Sequence, residues 1–357
     1  MPEAARATLT IDLDALAQNY ATLKEAATGA EVAPVVKSDA YGLGAGPVGR
    51  RLWAEGARSF FVARLDEGER LRVALGGDRP AEIYVLDGFA AAARARYEAS
   101  ALTPALASAA QVRAVREWSA APRMALHVDT GMNRQGLTVA EAIEVAQSGD
   151  GPQISLVMSH LGAAATPTDP NNARQLARFR AIRAAFPTAR ASLAASAGAF
   201  LGEDYRFDLV RPGVSLYGGG PLERPHPRLK AVATLRAPVV DIRSLGAGDR
   251  LGYGDYTVDR PLRCAIVAAG YSDGMIRDAR RGAYAWLAGA ARPILIINMD
   301  ILAIEIGAAD VAIGDSVELL GEHALLDDFA TAARTVAHEV LTRISSRAER
   351  RYAGETA

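Results

Sequence analysis

Short apolar runs recur through the first part of the chain, at Val32–Val36, Phe60–Ala63, Ile83–Leu86, Leu102–Ala105, Met124–Val128, Ile154–Ser159, Arg190–Leu193 and Asp208–Ser215. Amphipathic stretches with helical spacing lie between most of them: Asp66–Leu75, Ala109–Trp118, Val139–Gln147 and Asn171–Ala185. Eight strands separated mostly by helices predict a (β/α)8 TIM barrel. The competing open, doubly wound sheet normally shows a Gly-rich dinucleotide fingerprint after its first strand. Here Val36 is followed by Lys37 instead.

The pattern changes after residue 217. The segment from Gly218-Gly219-Gly220-Pro221 through Pro225-His226-Pro227 reads as a linker. Beyond it, Val232–Ile242, Arg263–Ala269, Pro293–Ile297, Ile301–Ile306 and Ser316–Leu320 are strand-like, with turns such as Gly246-Ala247-Gly248-Asp249. The tail from Leu325 to Thr342 is helical in pattern. The expected organisation is an α/β barrel over residues 1–224 and a mostly β domain over 225–357. The first residues are candidates to pair with the second domain. The apolar run 293–297 is expected to be buried, since exposure would make it an aggregation hazard.

Composition narrows the function classes. Half the residues are apolar and 23% are charged, as in an ordinary soluble domain. The net charge of −1 leaves no electrostatic footprint for nucleic acid or an anionic membrane. No apolar run is long enough to span a bilayer, and Met1–Asp12 lacks the pattern of a signal peptide. The single cysteine, Cys264, excludes an intrachain disulfide and fits a reducing, cytoplasmic setting. It sits inside an apolar run and reads as a small buried strand residue.

In a barrel, chemistry gathers at the C-terminal ends of the strands. Lys37 ends the first, where burial lowers an amine's proton affinity and suits it to Schiff-base chemistry. Arg134 follows the fifth, His160 ends the sixth, Ser196 follows the seventh and Arg211 lies in the eighth. None of these is specific alone. A lone histidine at a strand end is usually structural, and an arginine usually pairs with an acid. Their joint placement points to one site.

Six motifs extend this pattern: Val36-Lys37-Ser38-Asp39-Ala40-Tyr41-Gly42, Asp129-Thr130-Gly131-Met132-Asn133-Arg134, Arg211-Pro212-Gly213-Val214-Ser215-Leu216-Tyr217-Gly218, Gly252-Tyr253-Gly254, Gly270-Tyr271-Ser272-Asp273-Gly274 and Met299-Asp300. With them the chain resembles the alanine racemases, pyridoxal-phosphate (PLP) enzymes of fold type III, over nearly its full length. The resemblance implies that Lys37 holds PLP covalently. It implies that Tyr41, Ser196 and the backbone N–H groups of Gly213 and Val214 bind the phosphate. His160 would pack beside the pyridine ring, Arg134 would bond the phenolic oxygen and Arg211 would face the ring nitrogen. Tyr253 and Met299 would reach in from a second subunit of a homodimer, and Tyr271 would line the pocket for a small amino-acid substrate. Racemisation needs a base on each face of Cα. Lys37 would serve the D face and Tyr253 the L face. An arginine opposite the ring nitrogen keeps its own proton and leaves the ring a weaker electron sink, which disfavours transamination. The implied activity is conversion of L-alanine to D-alanine for peptidoglycan precursors.

The chain departs from the family pattern in several places. His127 stands where many relatives have a lysine that can be carbamylated. Ala195 replaces the asparagine of an Asn-Ser pair. No Gly-Arg precedes Met299-Asp300. Ser346 replaces a second tyrosine, and Ala163–Ala165 lacks an acidic residue. Ser346 motivates an alternative, a racemase of broader specificity that also accepts serine or larger amino acids. A PLP-dependent decarboxylase ranks lower, because those relatives are longer and lack the Tyr253 motif. A cofactor-buffering barrel lacks the second domain. A metal-dependent hydrolase needs several histidines and carboxylates at strand mouths, yet of His127, His160, His226, His323 and His338 the last three lie outside the barrel. No metal is expected.

Overall fold

The structure is a computed structural model that describes residues 6–118, 123–148, 151–253 and 256–354. Gly254 of the Gly252-Tyr253-Gly254 motif and the ends of the chain lie outside the described residues. The chain divides into two compact units. One comprises residues 19–40 and 44–216, the other residues 1–18, 41–43 and 217–357. The first strand of the chain, β1 (Thr8–Asp12), belongs to the second unit.

The first unit is a ring of parallel strands: β2 (Glu31–Val32), β3 (Ser59–Val62), β4 (Glu82–Val85), β5 (Thr103–Leu106), β6 (Met124–His127), β7 (Ile154–Met158), β8 (Arg190–Ser192) and β9 (Leu209–Val210). Strands β3 to β8 pair in sequence order. The ring closes because β9 pairs with β2, while the bridges Val35–Phe61 and Ala195–Arg211 join β2 to β3 and β8 to β9. Every residue of β3 and β6 is buried, which is why these strands read as continuous apolar runs. The connecting helices are α2 (Ala45–Ala54), α3 (Leu65–Leu75), α4 (Arg94–Ala99), α5 (Ala109–Arg116), α6 (Val139–Gln147) and α7 (Pro170–Ala185), with α1 (Leu13–Ala26) ahead of β2. Ala33, Phe61, Tyr84, Ala105, Ala125, Leu156, Met158 and Leu209 form one buried cluster with a contribution from nearly every strand. This is the packed interior expected of a small barrel. Phe61 stacks on Tyr84 at 4.7 Å.

The second unit is mostly antiparallel: β10 (Ala233–Leu245), β11 (Arg250–Leu251), β12 (Tyr256–Thr257), β13 (Leu262–Val267), β14 (Tyr284–Leu287), β15 (Ala290–Ile297), β16 (Leu302–Glu305), β17 (Ser316–Leu320) and β18 (Glu349–Ala353), with helices α8 (Leu326–Ala332) and α9 (Ala337–Arg343). The order β13-β16-β15-β14-β17-β10 returns to β13, so these strands also close on themselves. The long strand β10 makes this possible. Its first half pairs with β17 and its second half with β13, across register shifts on either side of Pro238. β1 lies antiparallel to β10 and parallel to β18. The apolar run Ile294–Ile297 is buried, and Cys264 is fully buried in β13.

Three expectations need correction. The last barrel strand covers only Leu209–Val210, because Pro212 cannot donate to the ladder and Val214–Tyr217 turns into a short 3-10 helix. Strands β14 and β18 were not foreseen, being short and mixed in polarity. The C-terminal helical tract is two helices, interrupted where Arg334 takes a left-handed conformation.

Candidate active site

The barrel stays closed up to the residue before Lys37: Val35 N–H donates to Pro212 O and Val36 N–H to Phe61 O. Lys37 therefore emerges at the strand mouths. Burial and the Arg134 guanidinium, partly offset by the Glu67 carboxylate, hold its amine below the ordinary lysine range. The next four residues, Ser38, Asp39, Ala40 and Tyr41, all take left-handed dihedrals, with φ of 53°, 55°, 53° and 59°. None is glycine, and each such residue costs about 1–2 kcal/mol. Specific bonds hold this strained turn: Ala40 N–H to Val36 O at 2.9 Å, Gly44 N–H to Asp39 O at 2.9 Å and Ala45 N–H to Asp39 Oδ1 at 2.7 Å. Tyr41 belongs to the second unit, where its ring packs between Tyr217 and His338. Burial pushes its phenol up, so its hydroxyl keeps a proton to donate.

Arg211 is the buried cation of the barrel. Its guanidinium donates to the carbonyl and hydroxyl of Ser192 and to the carbonyl of Ser159. Burial lowers it to about 10, which leaves it charged at neutral pH. Ser159 in turn shares a 2.8 Å hydroxyl bond with Thr130, and the fully buried Gln175 of α7 donates to Thr130 Oγ1 at 3.2 Å and His160 O at 2.9 Å. Gln175 Oε1 accepts from Gly162 N–H at 2.8 Å. One amide thus ties together the loops that carry Arg134 and His160. Arg134 sits at the end of a tight loop that Asp129 organises by accepting Gly131 and Met132 N–H groups at 2.7 and 2.9 Å. Gly136 is required there. It has φ of 125°, and an added Cβ would stand 2.6 Å from Asp129 N.

Two histidines are held neutral. Burial, then Arg211 and Arg134, push His127 down to about 4, with Asp129 opposing. Burial, then Arg211, Arg134, His127 and Lys37, push His160 down to about 3. Unfolded histidine titrates near ~6.5. Between that value and the folded ones the unfolded chain binds protons that the folded chain refuses. Stability is therefore complete above pH ~6.5 and falls as pH drops, by about 1.4 kcal/mol per unit for each histidine. Urea midpoints at pH 7.5 and 5 should show this loss. His127→Gln should remove part of it, and a variant with the parent's slope would refute the account.

Ser196 Oγ accepts the N–H groups of Gly213 at 3.0 Å and Ser215 at 3.3 Å. A hydroxyl that accepts two donors has its own proton left to offer, which suits an anion. The same bond engages the Gly213 N–H that the resemblance assigns to the phosphate.

In the second unit, the loops carrying Tyr271 and Met299 are bonded together. Tyr271 N–H donates to Asn298 O at 2.9 Å and Ser272 N–H to Met299 O at 3.0 Å. Gly270 allows this approach, since a Cβ there would stand 2.3 Å from both carbonyl oxygens of Asn298 and Met299. Arg347 clamps the loops through Asp300 at 2.6 Å and Asp273 at 3.4 Å. The Tyr253 turn joins the same region, for an added Cβ on Gly252 would meet Ile296 and Asn298. Tyr253 is 82% exposed, Met299 50% and Tyr271 41%. Large apolar side chains gathered on one exposed edge call for a covering surface.

Sequence models of the alanine racemase N-terminal and C-terminal domains match residues 11–221 and 232–352. The chain belongs to the alanine racemase family. It is 42% identical over 363 residues to an alanine racemase of Methylobacterium nodulans, which covers 97% of this chain and 96% of that protein. Two alanine racemases of Agrobacterium fabrum, one described as catabolic and one as biosynthetic, are each 39% identical, over 96% of this chain and 91% and 93% of their own lengths. A solved alanine racemase of Bartonella henselae with covalently bound pyridoxal phosphate superposes with a TM-score of 0.90 at 34% identity, covering 98% of this chain and all of that one.

The alanine racemases are PLP enzymes, and the barrel mouth fits that cofactor. An amine with lowered proton affinity is available for a carbonyl. The buried hydroxyl of Ser215, beside Ser196, has no hydrogen-bond partner among the described residues, and neither does His127 Nδ1. An anionic group at Ser196 would satisfy the first. Among the described residues no cluster of His, Cys, Asp and Glu is arranged to hold a metal ion, and no helix is long and apolar enough to cross a membrane.

Gln175, Thr130, Ser159, Ser192 and Glu67 are parts of the site that sequence reasoning missed. Gln175 lies on an amphipathic helix whose polar residues look alike in sequence. Glu67 stands at the third helical position, where a capping glutamate is common, but Arg64 replaces the Ser or Thr that would advertise it.

Proposed function

We propose that this protein is a homodimeric, PLP-dependent racemase that interconverts L- and D-alanine in the cytoplasm and supplies D-alanine for peptidoglycan. The observation that carries the reading is the convergence of Lys37, Arg134, His160, Ser196 and Arg211 on the C-terminal ends of one closed ring of parallel strands. Lys37 would anchor the cofactor, Ser196 and Tyr41 with Val214 N–H would hold its phosphate, His160 would lie along its ring and Arg134 would bond its phenolic oxygen. When bound, PLP withdraws electrons from the substrate's Cα and makes its proton removable.

This chain's own residues would then move that proton. The Lys37 amine takes or returns it on the D face, and Tyr253 of a second copy does so on the L face. The lowered proton affinity of Lys37 suits a base working near neutral pH. Arg211, fixed by Ser192 and Ser159, keeps its charge and gives no proton to the ring nitrogen. That favours return of the proton to Cα over its delivery to the cofactor. Neutral His160 and His127 add no further charge. The exposed Tyr253, Tyr271 and Met299 support the dimer, because a partner's barrel mouth would cover them and give Met299 and Tyr271 a substrate pocket to line.

The test is to incubate the PLP-loaded protein with L-alanine and follow D-alanine by chiral chromatography. Steady formation of D-alanine is expected. Serine or lysine racemised at a rate comparable to alanine would instead favour the broader substrate range that Ser346 motivates, and no turnover of any of the three would overturn the reading.

A further inference from the structure

The left-handed turn after Lys37 needs an anchor at its first residue, and an acid from another strand mouth provides it. Ser38 N–H donates out of the turn to Glu67 Oε1 at 2.8 Å. Glu67 Oε2 accepts two more backbone donors, Ala63 N–H at 2.8 Å and Arg64 N–H at 3.1 Å. A capping glutamate at this helical position ordinarily reaches back to the start of its own helix. Here the second oxygen crosses to the lysine turn.

We propose that Glu67 is a positioning residue for Lys37: it fixes the turn that aims the amine and supplies the negative charge that faces it. Arg134 is the opposing cation at Lys37, and His160, His127 and Arg211 line the same mouth. Against burial and Arg134, Glu67 raises the proton affinity of the Lys37 nitrogen. It thereby keeps the amine basic enough to take a proton. Glu67 touches no reacting atom itself. The inference rests on Lys37 being the cofactor anchor and D-face base.

Glu67→Gln keeps the size and part of the bonding but removes the charge. Glu67→Asp keeps the charge on a shorter arm. The visible absorbance of the PLP-loaded protein is titrated with pH, and primary deuterium isotope effects are measured with α-deuterated D- and L-alanine. In Glu67→Gln the spectral midpoint is expected about one unit lower. The isotope effect should grow with D-alanine, whose proton Lys37 takes, and not with L-alanine. Glu67→Asp should stay near the parent midpoint. A Gln variant with the parent's midpoint and isotope effects overturns the proposal. A visible band that persists in Lys37→Ala would instead strike the assignment of Lys37 itself, so the two failures are distinguishable.

Discussion

Lys37→Ala is expected to lower the conversion of L- to D-alanine by about 10⁴-fold or more while leaving the protein folded. The loss is large because one side chain would both hold the cofactor and serve as a base, and no neighbour can replace it. His160 and His127 are too weakly basic, and Arg211 stays charged. The fold should not suffer. The Lys37 amine makes no hydrogen bond to a described residue, and its charge is disfavoured by burial and by Arg134. Compared without cofactor, the alanine variant should therefore melt at or slightly above the parent temperature, as when a strained functional group is removed. Chiral chromatography and a melting curve on the same preparation check both halves. Residual activity within tenfold of the parent would sink the assignment.

Tyr253→Phe should lower the rate by about 10²–10⁴-fold, the range for loss of a general base, with PLP binding unchanged. Its ring is 82% exposed in the single chain, so loss of the hydroxyl leaves the second unit intact. The sharper result comes from mixing. Each site would combine Lys37 of one copy with Tyr253 of the other. A dimer of one Lys37→Ala chain and one Tyr253→Phe chain would then hold one wholly native site. If the two inactive variants are mixed and allowed to exchange subunits, about a quarter of the parent activity should return. A mixture that stays inactive while mass measurement shows mixed dimers would exclude the shared site.

Much of this was legible from sequence, for reasons that differ by element. Parallel strands buried on both faces leave continuous apolar runs, so β3 and β6 are visible without a fold. The motifs around Lys37, Arg134 and Arg211 are contiguous because the chain leaves each strand directly into the site. β18 was missed because its burial alternates and its residues are largely charged, and β9 was overextended because Pro212 ends the ladder inside an apolar stretch. The four left-handed residues after Lys37 contain no glycine to signal them. Glu67 and Gln175 each look like ordinary helix polarity until the fold brings them to another strand's mouth.

The sequence by itself determined the class of fold, the lysine at a strand end and the arginine that follows Val210, because these follow from local periodicity and residue chemistry. Only the tertiary structure decided the closure of the barrel by β9 on β2 and the return of β10 to β13. It alone decided the anchoring of the Lys37 turn by Glu67 and the clamp of Gln175 on Thr130 and His160. These are contacts between residues far apart in the chain. They form because backbone donors and buried polar groups must find partners, and which partner each finds depends on the assembled geometry rather than on its neighbours in sequence.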